Sequence, residues 1–322
     1  MFEDYYSNLL HHCALCPRQC HADRFSSKLG YCNTGAVFPV SSICLHHGEE
    51  PVISGKRGIC NIFFSHCNLQ CRYCQNYQIS SNVIGVGPIV LELEEIITQL
   101  EVHLKNKITR IGFVSPSHVL PQVEIIMKRL RERNWNPVFV YNTNGYDRSE
   151  QIRSLEGRIQ VYLPDLKYTD GSVSKAYSDA ADYPFYAKEA IKEMFRQKGS
   201  EIILDEQGEI LSGLIIRHLV IPGQVENSIA CLRFIAEELS PDVSVSLMSQ
   251  YHPVPATIKH RCLGRTLNKE EYAQVRHELE KLGMQNGWIQ ELESSAYYFP
   301  DFNRPHPFEE KNHHGGRGEH GE

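Results

Sequence analysis

The chain has 322 residues, 41% of them hydrophobic and 22% charged, with a formal net charge of −6. That is enough for a sizeable core in one large domain, or one domain plus a small addition. No basic stripe or long like-charge run marks a nucleic-acid partner, and no apolar run approaches the roughly 18–20 residues of a membrane helix. The start, Met1 to Tyr6, lacks the basic and apolar regions of a signal peptide, so a cytoplasmic protein is expected. Thiols stay reduced in that compartment. Eleven cysteines then point to metal ligation or redox chemistry, not to a disulfide framework.

Residues 1–50 differ in character from the rest. They carry Cys13, Cys16, Cys20, Cys32 and Cys44, several histidines and little periodicity. We read them as a small Cys-rich N-terminal region bounded near Gly48-Glu49-Glu50-Pro51. The set Cys13, Cys16, Cys20 and Cys32 supplies four thiolates as a second metal site. It can close around zinc, ligate an auxiliary iron–sulfur cluster or remain reduced. Cys44, Cys60, Cys231 and Cys262 lie in or beside apolar runs and read as small buried hydrophobes.

From Ile59 onward strand and helix patterns alternate. Residues 59–64 are a first strand. Leu93, Ile96, Ile97, Leu100 and Leu104 recur on one helical face. Residues 108–114 are a second strand, and residues 119–133 an amphipathic helix. A third strand spans 137–142, with a short helix near 148–156, and a fourth spans 159–163. Residues 172–200 read as mostly helical. Residues 201–211 resemble a hairpin turning at Gln207-Gly208. A fifth strand covers 214–221, a helix 226–239 and a sixth strand 243–248. The last helix starts at Asn268 with Glu271 three residues on, a capping-box pattern, and Gly283 is placed to end it. Six strands alternating with helices predict an α/β fold, an open (β/α)6 partial TIM barrel spanning residues 51–300. Residues 301–322 read as a disordered His/Gly-rich tail.

The chemistry centres on Cys67-Asn68-Leu69-Gln70-Cys71-Arg72-Tyr73-Cys74. This triplet leaves the carboxyl end of the first strand, where parallel α/β folds usually place chemistry. Three thiolates can hold three irons of a [4Fe–4S] cube and leave the fourth iron open to a small molecule. The competing reading is zinc, with Cys60 or His66 as fourth ligand.

Cys-x3-Cys-x-aromatic-Cys after a first strand, followed by this alternation, resembles the radical S-adenosylmethionine (SAM) superfamily over most of residues 50–255. Within it the chain is most similar to the pyruvate formate-lyase-activating enzymes, and there to the PflX-like group. Asn142-Thr143-Asn144-Gly145, Leu163-Pro164-Asp165-Leu166-Lys167, the run from Ile216 to Gly223, and Tyr251-His252 match that branch in order and spacing.

The resemblance implies a [4Fe–4S] cluster on Cys67, Cys71 and Cys74, with SAM chelating the open iron through its amino and carboxylate groups. One electron, supplied by a donor such as flavodoxin or ferredoxin, then cleaves SAM to a 5′-deoxyadenosyl radical that abstracts hydrogen. The acceptor is a protein, as for a glycyl-radical activase, or a small molecule. Lys167 and Arg217 suit the SAM carboxylate. Asp165 holds Lys167 or a ribose hydroxyl, Tyr73 lies near the adenine and His252 near the adenosyl group. Asn142 and Thr143 belong to the same cofactor loop set. Where the branch has Gly-Gly-Glu, this chain has Val114-Ser115-Pro116-Ser117-His118, so Ser115 and Ser117 are expected to accept from the SAM amino group. Asn142 also replaces an aspartate associated with an alkali cation in relatives. A reading from another class is a zinc-stabilised interaction protein, favoured only by the N-terminal cysteines.

Overall fold

The computed structural model describes residues 4–83, 90–292, 300–304 and 306–308. Most of the expected tail lies outside the described residues. The strands in chain order are β1 (Val40–His46), β2 (Ile59–Phe64), β3 (Arg110–Val114), β4 (Val138–Thr143) and β5 (Val161–Pro164). They are followed by β6 (Ile203–Leu204), β7 (Ile210–Leu219), β8 (Ser244–Met248) and β9 (Gly287–Ile289). The sheet order is β1-β2-β3-β4-β5-β7-β8-β9, with β6 paired to β7. β2, β3, β4, β5, β7 and β8 are the six expected strands, and each neighbouring pair is parallel. The two ends, β1 and β9, do not pair with each other, so the α/β sheet stays open as a partial barrel.

Burial follows from this topology. β2, β3 and β8 are buried at every position, as strands covered on both faces must be. The helix Leu93–Lys105 buries the five apolar residues of its predicted stripe. The helix Lys269–Lys281 carries the full capping box between Asn268 and Glu271.

One strand face changes character along its length. Ile59 on β2, Val140 on β4, Val161 and Leu163 on β5 and Ile215 on β7 form a buried apolar cluster. Two residues further toward the carboxyl ends, the same alternation brings Asn61, Asn142, Asp165 and Arg217. Apolar packing therefore fills one end of the face and polar groups gather at the other.

Three elements carry no usable sequence signal. The helix Asp4–His11 and β1 lie within the Cys-rich stretch. β1 pairs antiparallel with β2, so part of residues 1–50 joins the main sheet. β9 has three residues, too short to show a period, and pairs parallel with β8. β7 also starts earlier than expected. It fuses the second arm of the 201–211 hairpin to the fifth strand through Gly213.

Candidate functional site

The three cysteines leave the end of β2 and open into a cavity of about 660 Å³. Each sulfur receives a hydrogen bond. Asn144 Nδ2 donates to Cys67 Sγ at 3.3 Å, and the Leu69 amide donates to the same sulfur at 3.4 Å. Ser178 Oγ donates to Cys71 Sγ at 3.0 Å and Ser80 Oγ to Cys74 Sγ at 3.2 Å. Donors aimed at sulfur favour the thiolate and tune a bound metal.

Burial pushes the Cys67 thiol up to about 12, and neighbouring Cys71 and Cys74 add to the rise. Burial takes Cys71 to about 11 although Lys167 pulls the other way. Cys67 and Cys71 therefore keep their protons at neutral pH until a metal displaces them. Among the described residues no three Cys, His, Asp or Glu side chains are drawn into a finished metal shell, so the fit rests on the donor set. Three hydrogen-bonded sulfurs on one loop, facing a cavity, suit a cluster with one open position.

The cavity also holds a ladder of charges. Lys167 Nζ lies 2.6 Å from Asp165 Oδ2, and Asp165 Oδ1 lies 2.9 Å from Arg217 Nε. Arg217 reaches Glu49 Oε2 at 3.2 Å and donates to Asn142 Oδ1 at 2.7 Å. The sheet sets this spacing, because Asp165 and Arg217 form a parallel bridge at the ends of β5 and β7. Burial opposes ionisation of Asp165, but Arg217 and then Lys167 outweigh it and hold the carboxyl below its ordinary value. Burial likewise opposes the charge of Lys167, and Asp165 with Cys71 raises it.

The Asn142-to-Gly145 loop fits closely over this ladder. Gly145 has φ 81°, and a Cβ there would meet the Asp165 carbonyl oxygen at 2.3 Å. Tyr183 Oη sits between the Asn144 and Asp165 carbonyls, at 3.0 and 2.8 Å.

The structure brings Cys67, Cys71, Cys74, Tyr73, Ser115, Asn142, Asp165, Lys167 and Arg217 to one cavity. Tyr73 is buried and its hydroxyl is committed. It lies 2.6 Å from the Tyr168 hydroxyl, which continues through Ser178 to Cys71. Ser115 has φ 51°, in the left-handed region, and its amide donates to the Asn142 carbonyl.

Ser117 and Thr143 do not line the cavity. They are buried together, 3.1 Å apart, and Thr143 donates to Asp147. The 3-10 turn Pro116–His118 turns Ser117 inward, and Thr143 alternates with Asn142 across β4. His252 is half-buried and also lies off the cavity lining. Of the alternative fourth ligands, Cys60 lies in mid-strand within the apolar core. His66 reaches the cavity with Nδ1 bonded to the Ser81 carbonyl. Cys44 and Cys231 are buried as expected, whereas Cys262 is half-buried.

Sequence reasoning missed Glu49 and Glu50. Glu49 Oε1 accepts from Asn61 at 2.9 Å and from Asn142 at 3.3 Å. A carboxylate absent at position 142 is thus supplied by a distant segment. Glu50 is 8% exposed, and its Oε2 has no partner among the described residues. Burial raises its carboxyl, against the pull of Arg217. The only sequence signal for this pair was two acids before Pro51, which read as a boundary.

Residues 61–205 match the radical SAM superfamily. An uncharacterized protein of Methanocaldococcus jannaschii is 27% identical over 289 residues, covering 86% of this chain and 77% of the relative. The FeFe-hydrogenase maturase HydG from Carboxydothermus hydrogenoformans superposes with a TM-score of 0.50 at 15% identity, over 74% of this chain and 55% of that one. That likeness speaks for the fold. A domain of pyruvate-formate lyase-activating enzyme from Bacteroides vulgatus matches at 17% identity and a TM-score of 0.39, over 53% of this chain and 93% of that one. Among the described residues no helix is long and apolar enough to cross a membrane.

Proposed function

We propose that this chain, whose residues 61–205 match the radical SAM superfamily, holds a [4Fe–4S] cluster and SAM, cleaves SAM reductively and passes the radical to a second molecule. One observation carries the reading: three sulfurs on a single loop open into the cavity that holds the Lys167–Asp165–Arg217 ladder. When bound, the cluster and SAM together supply the electron transfer and the 5′-deoxyadenosyl radical.

The chain's residues bind and orient. Cys67, Cys71 and Cys74 hold the cluster, and Ser80, Asn144 and Ser178 keep the sulfurs in place. Lys167 and Arg217 present positive charge for the SAM carboxylate, and Asp165 fixes both cations by ion pairs. Ser115 offers backbone and hydroxyl groups at the end of β3 for the SAM amino group. Tyr73 closes one wall, which excludes water from the reacting atoms. The cavity volume lies within the roughly 300–1,000 Å³ of small-molecule sites. Following the activating-enzyme resemblance, the radical acceptor is a protein, and a flavodoxin or ferredoxin supplies the electron.

Anaerobic reconstitution with iron and sulfide, then dithionite and SAM, tests the chemistry. The expected result is 5′-deoxyadenosine, lost when the three cysteines become alanine. A reconstituted protein that binds no cluster, or binds one and yields no 5′-deoxyadenosine, overturns the reading. Electron paramagnetic resonance on mixtures with candidate glycyl-radical enzymes tests the acceptor separately.

A further inference from the structure

The N-terminal cysteines present a different problem. Residues 12–39 contain no helix or strand, yet follow one defined path. Loops longer than about 12–15 residues without secondary structure are uncommon in compact domains. This one has little apolar material of its own: Cys13, Leu15 and Ala36 pack with Leu9 and Leu10 of the preceding helix, and Phe38 enters the main core at its far end. Something other than an apolar core must hold it.

Backbone geometry draws the cysteines toward one another. Gln19, His21 and Asn33 all have positive φ, between 39° and 52°, and they flank Cys20 and Cys32. Gln19 N bonds the Cys16 carbonyl and Asn33 N the Gly30 carbonyl, giving a tight turn at each place. Cys13 is tied to the Cys20 segment by Cys13 N to Ala22 O and His21 N to Cys13 O. Cys20 Sγ seats against Gly30, where an added Cβ would come within 2.3 Å of it. Cys13, Cys16 and Cys32 are buried, and Cys20 is exposed at the edge of the group.

The second observation is a charge. Arg24 is 3% exposed. Its Nε lies 3.2 Å from Cys13 Sγ, its Nη2 3.6 Å from Cys32 Sγ and its Nη1 2.6 Å from the His118 carbonyl. Among the described residues no carboxylate pairs with it. A buried guanidinium between neutral thiols is uncompensated and costly. Four thiolates around one divalent ion carry two net negative charges, and Arg24 then offsets one of them.

We propose that Cys13, Cys16, Cys20 and Cys32 hold one zinc ion in a closed four-sulfur site that pins the Cys67–Cys74 loop. None of the four lines the cavity, and four thiolates fill a tetrahedral shell and leave no open coordination position, as expected of structural zinc. The pin is Arg18, two residues beyond Cys16. Its Nε donates to the Asn68 carbonyl at 3.0 Å and its Nη1 to the Asp179 carbonyl at 2.7 Å. Its guanidinium lies 3.7 Å from the ring centroid of Tyr31, the neighbour of Cys32. Asn82 Nδ2 bonds both the Tyr31 and Cys67 carbonyls, joining the two cysteine segments from the other side. The zinc site does not depend on what Cys67, Cys71 and Cys74 hold, whereas the pinning role rests on their holding the cluster proposed above.

The test uses the full chain with Cys67, Cys71 and Cys74 all changed to alanine, so that metal retained reports the other set. Elemental analysis should find about one zinc per chain and no iron, and the zinc absorption edge about four sulfurs near ~2.3 Å. Cys32→Ser in the otherwise native chain should lose that zinc. Iron with sulfide in the triple variant, no metal at all, or zinc on nitrogen and oxygen ligands each overturns the proposal. If the triple variant does not fold, the zinc edge of the reconstituted native chain gives the same reading, because iron does not contribute there. Arg18→Ala should keep the zinc and lower iron in the cluster several-fold. Unchanged iron would overturn the pinning role.

Discussion

The two cysteine sets use the same ligand atom in opposite settings. Around Cys67, Cys71 and Cys74 the neighbours are uncharged donors, Asn144, Ser178 and Ser80, and the sulfurs open to a cavity. Around Cys13 and Cys32 the donor is a buried guanidinium, and neither residue lines that cavity. On the two proposals above, surroundings more than ligand type separate a site that admits a molecule from one that stays shut. The open set leaves a strand end on a parallel sheet. The closed set sits in a long loop that has little apolar core.

The largest expected effect separates the sets outright. Cys71→Ala should abolish both the cluster absorbance and 5′-deoxyadenosine formation, while zinc per chain stays constant. Simultaneous loss of both metals would show that the two sets are one folding unit, and the contrast drawn above would fail. Parallel iron and zinc analysis of one anaerobic preparation decides this.

The charge ladder gives the next effect. Arg217 is tied to Asp165, Glu49 and Asn142, so Arg217→Met leaves Glu49 without its cation and Asp165 with Lys167 alone, both carboxylates being half-buried. Breaking a fully buried pair from one side costs about 3–5 kcal/mol, and the partial exposure of this one places its loss at the lower end or below. Urea unfolding should show that loss, and SAM affinity should fall with it. Asp165 is held below its ordinary 3.8, so its contribution to stability is complete above pH about 4. That contribution disappears only as the pH drops through the lower folded value. Asp165→Asn should therefore cost stability at neutral pH and progressively less on acidification. A difference that grows toward acid pH would contradict the ladder.

What the sequence revealed of this site follows from period and position. Asn142, Asp165 and Arg217 share one face at the carboxyl ends of their strands, and alternation alone predicts that. The same alternation argues against Thr143, whose neighbour Asn142 holds the cavity face. Ser117 was misleading because a 3-10 turn, invisible to hydrophobic patterning, rotates it inward. Glu49 and Glu50 were illegible for another reason. Two acids before a proline resemble a solvated boundary, and only the pairing of β1 with β2 carries them to Arg217. Arg24 gave no signal at all, since burial of a cation among thiols is a tertiary fact.

Gly145 offers a smaller perturbation confined to the open set. Its positive φ and the 2.3 Å approach to the Asp165 carbonyl oxygen leave no room for a methyl group, and the blocking atom is backbone. Gly145→Ala should cost about 1–3 kcal/mol. It should also lower SAM-dependent turnover more than zinc content, because Asn144 on the same loop donates to Cys67. Equal losses of iron and zinc would mean that general loosening, not loop geometry, controls both sets.

The smallest effect calibrates that distinction. Asn268 caps the helix Lys269–Lys281, accepting from the Glu271 amide at 2.8 Å, and lies outside both cysteine sets. Asn268→Ala removes one half of a reciprocal cap and should cost about 1 kcal/mol. Because neither set depends on this cap, iron, zinc and 5′-deoxyadenosine yield should stay at native levels while the unfolding midpoint falls. A drop in either metal would show that modest global destabilisation is enough to empty that set. The metal losses expected of Arg18→Ala and Gly145→Ala would then need this baseline subtracted before they speak for local contacts.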